Sequence, residues 1–188
     1  MTSKQPSKRS WLLSSAALSM VALVFFALWA TWSRQPVIEV RIVGGDRFDV
    51  NSSIDDKVCY FIEPNFQLRW IHSVEKQWWE EQYQREDDGL LLTTTYFQAF
   101  GAGTPSTEAL APIQKPGYIG YQINEKLPNL NWVVSRLTKG EIDYANYRIL
   151  IHKWAPDYSE VTITPKMYSV IDRFKKDFCH ELPSDGSQ

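Results

Sequence analysis

The feature that most constrains this chain is an uncharged run of 22 residues from Trp11 to Trp32. A helix gains about 1.5 Å per residue, so the run would reach about 33 Å, enough to cross a hydrocarbon core of about 30 Å. A tryptophan stands at each end, and tryptophan rings favour the level of the lipid headgroups. The sequence therefore predicts a transmembrane anchor over residues 11–32.

The basic residues around this run predict its orientation. Lys4, Lys8 and Arg9 precede it, and only Arg34 follows it closely. Since cytoplasmic flanks carry the excess of Lys and Arg, we expect a cytoplasmic tail over residues 1–10 and a main domain outside a bacterial inner membrane, in the periplasm or its equivalent. A cleaved signal peptide is the alternative, but its apolar stretch is usually about 7–15 residues and ends at a small-x-small site. Bulky residues interrupt Ala27–Ser33, which favours an uncleaved anchor.

The charge of the exported part argues against nucleic acid as a partner. Beyond Arg34 the chain has 16 basic and 22 acidic residues, a net charge of −6. A protein that binds the phosphate backbone needs clustered lysine and arginine. The charge therefore argues against nucleic acid, and the predicted anchor makes the membrane itself a partner.

The cysteines and histidines predict a disulfide rather than a metal centre. Cys59 and Cys179 would both face an oxidising compartment, so a disulfide is plausible, with two buried thiols as the alternative. His72, His152 and His180 lie far apart in the sequence, and none has the spacing of a metal ligand. We expect no metal and no other cofactor.

Short β-rich stretches alternate with turn signals after the apolar run. Val37–Val43 alternates β-branched and other residues, and Asp87–Gly89 is a typical turn before the threonine-rich stretch Leu90–Phe100. Strands are predicted over residues 37–43, 57–62, 66–73, 78–85 and 90–100, and in a hairpin of 143–154 with 158–164. Residues 118–123 and 132–135 are short apolar stretches among Pro, Asn and Lys, and we expect seven or eight strands in all.

This pattern predicts a mainly β domain over residues 37–182, a small antiparallel sandwich or barrel-like fold. A short linker over residues 33–36 would precede it. Pro165–Phe178 has apolar residues at helical spacing after a proline, which predicts a C-terminal helix that closes the sheet. Residues 183–188 are predicted to be a disordered tail.

The densest set of candidate functional residues lies in the predicted hairpin of residues 66–73 and 78–85. With a turn at Val74–Gln77, His72 would face Trp79, and one side of the hairpin would hold Leu68, Trp70, His72, Trp79, Glu81 and Tyr83. His72 and Glu81 would then be diagonal neighbours, either as an acid–base or ligand-binding pair or as a satisfied structural pair. Ser73 would point to the opposite face, which argues against a serine–histidine nucleophile.

A glycine-containing loop follows the fifth predicted strand. In Gly101-Ala102-Gly103-Thr104-Pro105, the glycines permit positive φ, so that successive backbone N–H groups can point into one hollow. The Thr104 hydroxyl could add a donor. The loop is therefore a candidate anion site, with a simple strand-ending turn as the alternative, since the dinucleotide-binding motif is incomplete.

The residues from Phe66 to Pro105 resemble a known family. The string F-x-L-x-W-I-H-S-V, then W-W-x-E-x-Y, then G-L-L-L-x-x-T-x-F-x-A-F-G-A-G-T-P is similar to the domain-of-unknown-function family 1850 (DUF1850). The matching positions are His72, Ser73, Glu81, Gly101, Gly103 and Pro105. Family members often have proline-valine where this chain has Trp78-Trp79, and the part after Pro105 adds little to the resemblance.

The resemblance implies a role without establishing a reaction. Members of the family tend to be encoded beside TAXI-type TRAP transporters, which import small organic anions. It therefore implies an extracytoplasmic accessory or ligand-sensing domain rather than an enzyme, with transporter subunits or a small organic anion as its partners. The candidate ligand-binding residues are His72, Ser73, Glu81, Gly101, Gly103 and Thr104. The alternatives are a hydrolase with a His72/Glu81 acid–base pair and a purely structural partner in a membrane complex.

Overall fold

The computed structural model describes residues 8–44 and 57–174. These residues form the helices α1 (Lys8–Trp32), α2 (Ile151–Trp154) and α3 (Val170–Phe174). They also form the strands β1 (Arg34–Val43), β2 (Lys57–Phe61), β3 (Asn65–Ile71), β4 (Trp78–Glu86), β5 (Gly89–Phe97), β6 (Ile119–Leu127), β7 (Leu130–Val133), β8 (Glu141–Tyr144), β9 (Tyr147–Leu150) and β10 (Glu160–Ser169).

The strands form two antiparallel sheets. The small sheet has the order β2-β1-β10-β7, and the large sheet has the order β6-β5-β4-β3-β8-β9. Most strands of the large sheet pair with the strand next to them in sequence. Short turns after β3, β4 and β8 join the hairpins β3–β4, β4–β5 and β8–β9. Neither sheet closes on itself within the described residues, so the predicted mainly β class is confirmed and the barrel-like alternative is not.

The main hydrophobic core takes side chains from both sheets. Ile38 and Val40 of β1 and Val161 of β10 represent the small sheet, whereas Phe66 of β3 and Ile142 of β8 represent the large one. Alternation along each strand points one apolar row inward, so two half-apolar sheets bury their faces together. The described core is therefore that of a β-sandwich.

The chain divides into two compact units. Of the described residues, 8–35 and 168–174 form one unit, which contains α1 and α3. Residues 36–44 and 57–167 form the other, which contains most of the two sheets. All candidate ligand-binding residues fall in the second unit.

The helical character of the N-terminal apolar run is confirmed by α1, which covers Lys8–Trp32. Within the part of the chain that the structure describes, no helix combines the length and apolar character needed to cross a membrane. The transmembrane anchor over residues 11–32 therefore stays a prediction. The separate linker over residues 33–36 is wrong, since β1 already begins at Arg34.

The C-terminal third differs from the prediction in two places. The predicted hairpin of 143–154 with 158–164 is replaced by a β8–β9 hairpin that turns at Ala145, which adopts a φ of 47°. No glycine or proline marks this turn in the sequence. His152 consequently lies on α2 rather than on a strand.

The predicted helix over Pro165–Phe178 is half strand and half helix in its described residues, 165–174. β10 continues to Ser169, and only Val170–Phe174 is helical. On the β7 side the pairing of β10 ends at Ile163, so Pro165, which lacks an N–H, removes no hydrogen bond to β7.

The predicted disulfide involves one residue that the structure describes. Cys59 lies on β2 and is fully buried in the main core. Cys179, His180 and the predicted tail over residues 183–188 lie outside the described residues. The disulfide therefore stays a prediction.

Candidate functional site

The turn between β3 and β4 sets the geometry of the candidate site. His72 donates its backbone N–H to the carbonyl of Gln77 at 2.8 Å, and Lys76 donates to the carbonyl of His72 at 3.0 Å. Lys76 takes a left-handed φ of 57°. A four-residue loop, 73–76, thus closes the hairpin, one position earlier than the predicted turn.

The earlier turn changes the pairing without changing the faces. Trp79 pairs with Trp70 rather than with His72, so the predicted register is wrong by two positions. Because the shift is even, Leu68, Trp70, Trp79, Glu81 and Tyr83 still share one face. The face was therefore predictable from alternation, whereas the partner of each residue depended on the turn.

His72 pairs with a glutamate from its own turn. Its Nδ1 atom contacts the Glu75 carboxylate, and its ring stacks on Trp79 with 5.4 Å between ring centroids. The two side chains keep 20% and 21% of their surface exposed, so the pair is reachable from solvent. The short (i, i+3) separation makes this contact a local consequence of the turn.

The glycine loop does hold a carboxylate, and that carboxylate belongs to the protein itself. The Ala102 N–H donates to Glu75 Oε1 at 3.0 Å. At Gly101 even a methyl group would overlap the Glu75 carboxylate, so the absence of a side chain there is required for this packing. The Ala102 N–H, with a smaller contribution from His72, holds the pKa of the Glu75 carboxyl below its usual value.

Thr104 stabilises the loop rather than facing the carboxylate. Its hydroxyl donates to the Gly101 carbonyl at 2.9 Å, and its N–H lies 3.3 Å from the same oxygen. Gly103 adopts a φ of 78°, a conformation that favours glycine. Together with His72, Glu75, Gly101 and Ala102, Thr104 forms what we term the turn–loop site.

Glu81 has a different partner and a different environment. The Tyr83 hydroxyl donates to its carboxylate, on the face of the large sheet that packs against the core. Burial raises the pKa of the Glu81 carboxyl, and Glu125 raises it further. Burial and the neighbouring Glu81 also raise the pKa of Tyr83. The predicted His72–Glu81 pair is thus replaced by the pairs His72–Glu75 and Tyr83–Glu81.

An aromatic cluster around Trp79 packs against the turn–loop site, where the His72 ring stacks on Trp79. Trp79 stacks on Trp70 and packs against Phe97, with 5.9 Å and 5.3 Å between ring centroids. The Trp79 Nε1–H donates to the Thr95 hydroxyl at 2.7 Å, which fixes the indole ring. Ser73 and Phe100, in contrast, are exposed at the surface of the site.

The opposite face of the large sheet carries a charge network that sequence reasoning missed. Glu80 is only 6% exposed and accepts from Lys115 Nζ. Arg69 Nε lies 3.7 Å from Glu80, and the Arg69 guanidinium lies over the Trp78 ring at 3.8 Å. The only sequence signal was that Arg69 and Glu80 fall on alternate, outward-facing positions of neighbouring strands.

A small apolar cavity of about 240 Å³ is lined mainly by Leu68 and Trp70 of β3 and by Trp132 and Val133 of β7. For metals the described residues offer no site, since they contain no cluster of three or more histidine, cysteine, aspartate or glutamate side chains.

The comparisons with known proteins agree with the sequence resemblance. Residues 66–151 match the model of a family described as Domain of unknown function (DUF1850). The match runs from β3 to the first residue of α2, so it extends well beyond Pro105, where the sequence resemblance weakened. The matched part contains the complete turn–loop site. No curated protein and no solved structure gives a significant match.

Proposed function

We propose that this chain is a membrane-tethered extracytoplasmic accessory domain that recognises a small organic anion, beside a transporter that takes up such anions. The observation that carries the proposal is the turn–loop site. There, a backbone N–H of the glycine loop and the His72 imidazole both contact one carboxylate, at a place open to solvent. Such an arrangement recognises carboxylates without a nucleophile.

The exposed surface of α1 supports the tether. Large apolar side chains are exposed on consecutive turns and on all sides of the helix, namely Leu18, Met20, Val21, Leu23, Val24, Phe25, Phe26, Leu28, Trp29 and Trp32. A helix that is apolar all round is typical of a buried or membrane-embedded segment. Lys4, Lys8 and Arg9 precede its apolar run from Trp11, which favours an orientation with the N-terminus in the cytoplasm.

The topology can be tested with reporter fusions. Alkaline phosphatase fused after residue 188 is active only when exported, whereas green fluorescent protein fused at the same place fluoresces well only in the cytosol. We expect an active phosphatase and a dark fluorescent fusion. The reverse pattern would exclude the extracytoplasmic role and the oxidising compartment with it.

The link to a TRAP-type transporter rests on the family resemblance and is tested by association. The full chain would be expressed from its own promoter with a C-terminal tag, cross-linked in cells and extracted in detergent. We expect transporter subunits among the cross-linked proteins and a reduced uptake of small organic anions in a His72→Ala strain. Normal uptake in a strain that lacks the whole chain would contradict the proposal.

A structural assembly partner is the second candidate, favoured by two exposed apolar residues. Val74 keeps 68% of its surface exposed and Phe100 keeps 58%, and they flank the turn–loop site from its two segments. Exposed apolar patches are typical of contact surfaces, and Val74 and Phe100 each directly precede a residue of the site in sequence. A photo-cross-linker at position 74 that captures a membrane protein, in a chain whose His72→Ala variant keeps full uptake, would favour this role.

The hydrolase alternative loses its acid–base pair in this geometry. It required His72 and Glu81 to act together, but the imidazole contacts Glu75 and the Glu81 carboxylate accepts from Tyr83. Because Glu81 lies on the core-facing side, its raised pKa follows from burial. Nothing in the described residues favours hydrolysis over recognition.

A further inference from the structure

The turn–loop site is already filled by a carboxylate of the same chain. We propose that Glu75 is an internal occupant of a carboxylate-binding site, and that an incoming small organic carboxylate binds by displacing the Glu75 side chain. This inference rests on the proposed function and specifies how the same site is regulated.

The contacts of Glu75 define what the site recognises. Oε1 accepts from the Ala102 N–H at 3.0 Å, and Oε2 faces Nδ1 of His72. His72 Nδ1 also lies 3.4 Å from the backbone N–H of Glu75, which donates to it when that nitrogen is unprotonated. With a proton on Nδ1, each carboxylate oxygen has one donor, an arrangement that favours a carboxylate over an amide or an alcohol. The missing side chain at Gly101 leaves the volume that the carboxylate occupies.

The position of Glu75 makes displacement feasible. Its neighbours Ser73, Val74 and Lys76 in the turn are exposed, and the Glu75 side chain itself is 21% exposed. Rotation of the side chain toward solvent therefore frees both donors without opening the core. The lowered pKa keeps Glu75 ionised near neutral pH, so it competes as an anion.

The Glu75 carboxylate competes with an external carboxylate for the same contacts and therefore weakens its binding. A short flexible tether gives an effective concentration in the millimolar range, against which an external carboxylate must compete. Removal of the tethered carboxylate should therefore strengthen binding of external ones. Glu75 would in this way restrict occupancy to conditions in which the anion is abundant.

The surroundings indicate a carboxylate with a short apolar body. Val74 precedes Glu75 and lies two residues after His72, and Phe100 lies two residues before Ala102, so both exposed apolar side chains are close in sequence to the groups that contact the carboxylate. Phe100 also packs edge-on against Phe97, which holds its ring in place. Butyrate is a suitable probe, and butyramide is its uncharged control.

The test follows the Ala102 amide by NMR in the full chain, solubilised in detergent and labelled with ¹⁵N-alanine. Butyrate is titrated at constant ionic strength into the wild type, Glu75→Ala and Glu108→Ala. Glu108 is the matched control because its carboxylate also accepts a backbone N–H, from Thr107 at 3.1 Å, in the same exposed region of chain. We expect Glu75→Ala to bind butyrate at least tenfold more tightly than the wild type, and Glu108→Ala to behave as the wild type.

Several results would overturn the inference. The first is an Ala102 amide signal in Glu75→Ala that does not shift when butyrate is added. The second is a gain in butyrate affinity in Glu108→Ala as large as that in Glu75→Ala. The third is a response of Glu75→Ala to butyramide as large as its response to butyrate. The double variant His72→Ala/Glu75→Ala should lose the tighter butyrate binding of Glu75→Ala. If the double variant still binds butyrate more tightly than the wild type, His72 does not belong to the site. If Glu75→Ala does not fold, Glu75→Gln provides the test, since it keeps the size of the side chain but not its charge.

The inference and the proposed function can fail separately. A negative titration together with intact transporter cross-linking would remove displacement by carboxylates and leave the accessory role. A positive titration in a chain that cross-links to no transporter would leave the carboxylate site and remove the transport association.

Discussion

The Nδ1 atom of His72 contacts the carboxylate of Glu75, three residues further along the turn between β3 and β4. The other oxygen of that carboxylate accepts from the N–H of Ala102, 27 residues away in the glycine loop. One glutamate thus joins the two segments that sequence analysis had singled out separately. The result is a small polar site in which a backbone N–H and an imidazole ring converge on a single anionic group.

The first prediction concerns the acid side of the stability profile. The pKa of Glu75 is lowered from 4.5, chiefly by the Ala102 N–H, so its contribution to folding is present above pH 4.5 and is lost as the pH falls through the folded-state pKa. Glu75→Gln should therefore lower Tm at pH 7 and lose stability less steeply on acidification. Thermal unfolding from pH 7 to pH 3 measures this. Glu160→Gln, at an exposed strand position, is the control. If Tm falls with pH equally in the wild type and in Glu75→Gln, the ionised Glu75 carboxylate does not stabilise the fold.

The second prediction concerns Glu81, for which the sign is opposite. Burial raises the pKa of Glu81 above 4.5, so ionisation disfavours the fold, and the stabilising contribution is lost as the pH rises through the folded-state pKa. Glu81→Gln should raise Tm at pH 7, while its amide oxygen still accepts from Tyr83. The gain should disappear below about pH 4, where both states are protonated. A variant that is less stable than wild type at pH 7 but equal to it at low pH would show that the carboxylate is stabilising instead.

The third prediction concerns the charge network on the outer face of the large sheet. Lys115→Met removes the cation nearest to the buried Glu80 and leaves Arg69 at 3.7 Å as its remaining recorded cation. The Lys115 side chain keeps 34% of its surface exposed, so water can partly replace the ammonium group. With Arg69 also near Glu80, the loss should be about 1–3 kcal/mol. Urea unfolding at pH 7 measures the change.

Two variants serve as controls for the Lys115 substitution. Lys139→Met, at an exposed position, should change stability by less than about 0.5 kcal/mol. Addition of Glu80→Gln to Lys115→Met should recover part of the loss, because the buried charge is then removed. Equal effects of the Lys115 and Lys139 substitutions would mean that the network does not stabilise the sheet.

The fourth prediction is the disulfide between Cys59 and Cys179. We expect that protein isolated from the exported fraction, denatured without reductant and treated with iodoacetamide, carries no alkylated cysteine. After reduction it should carry two. Removal of a native disulfide typically costs about 2–5 kcal/mol, so Cys59→Ala should show a clearly lower Tm, part of which comes from the loss of a buried side chain. Alkylation of both cysteines before reduction would exclude the bridge.

The resemblance to a family of unknown function and the mainly β class followed from sequence because both depend on local pattern. Alternation in β1, the threonine-rich run of β5 and the length of α1 each specify one element without reference to distant residues. The common face of β3 and β4 was predictable for the same reason. The β8–β9 turn was missed because Ala145 takes a positive φ that its residue type does not signal.

What the sequence alone determined is therefore the inventory of this protein: an apolar helix, a run of alternating strands, a polar turn and a glycine loop. Only the tertiary structure decided that His72 pairs with Glu75 rather than Glu81, and that the glycine loop is closed by the carboxylate of Glu75. It likewise decided that Lys115 reaches Glu80, 35 residues earlier. The physical reason is that periodicity specifies which face a side chain lies on. Its partner depends on the exact length of a turn and on how distant segments of the chain pack.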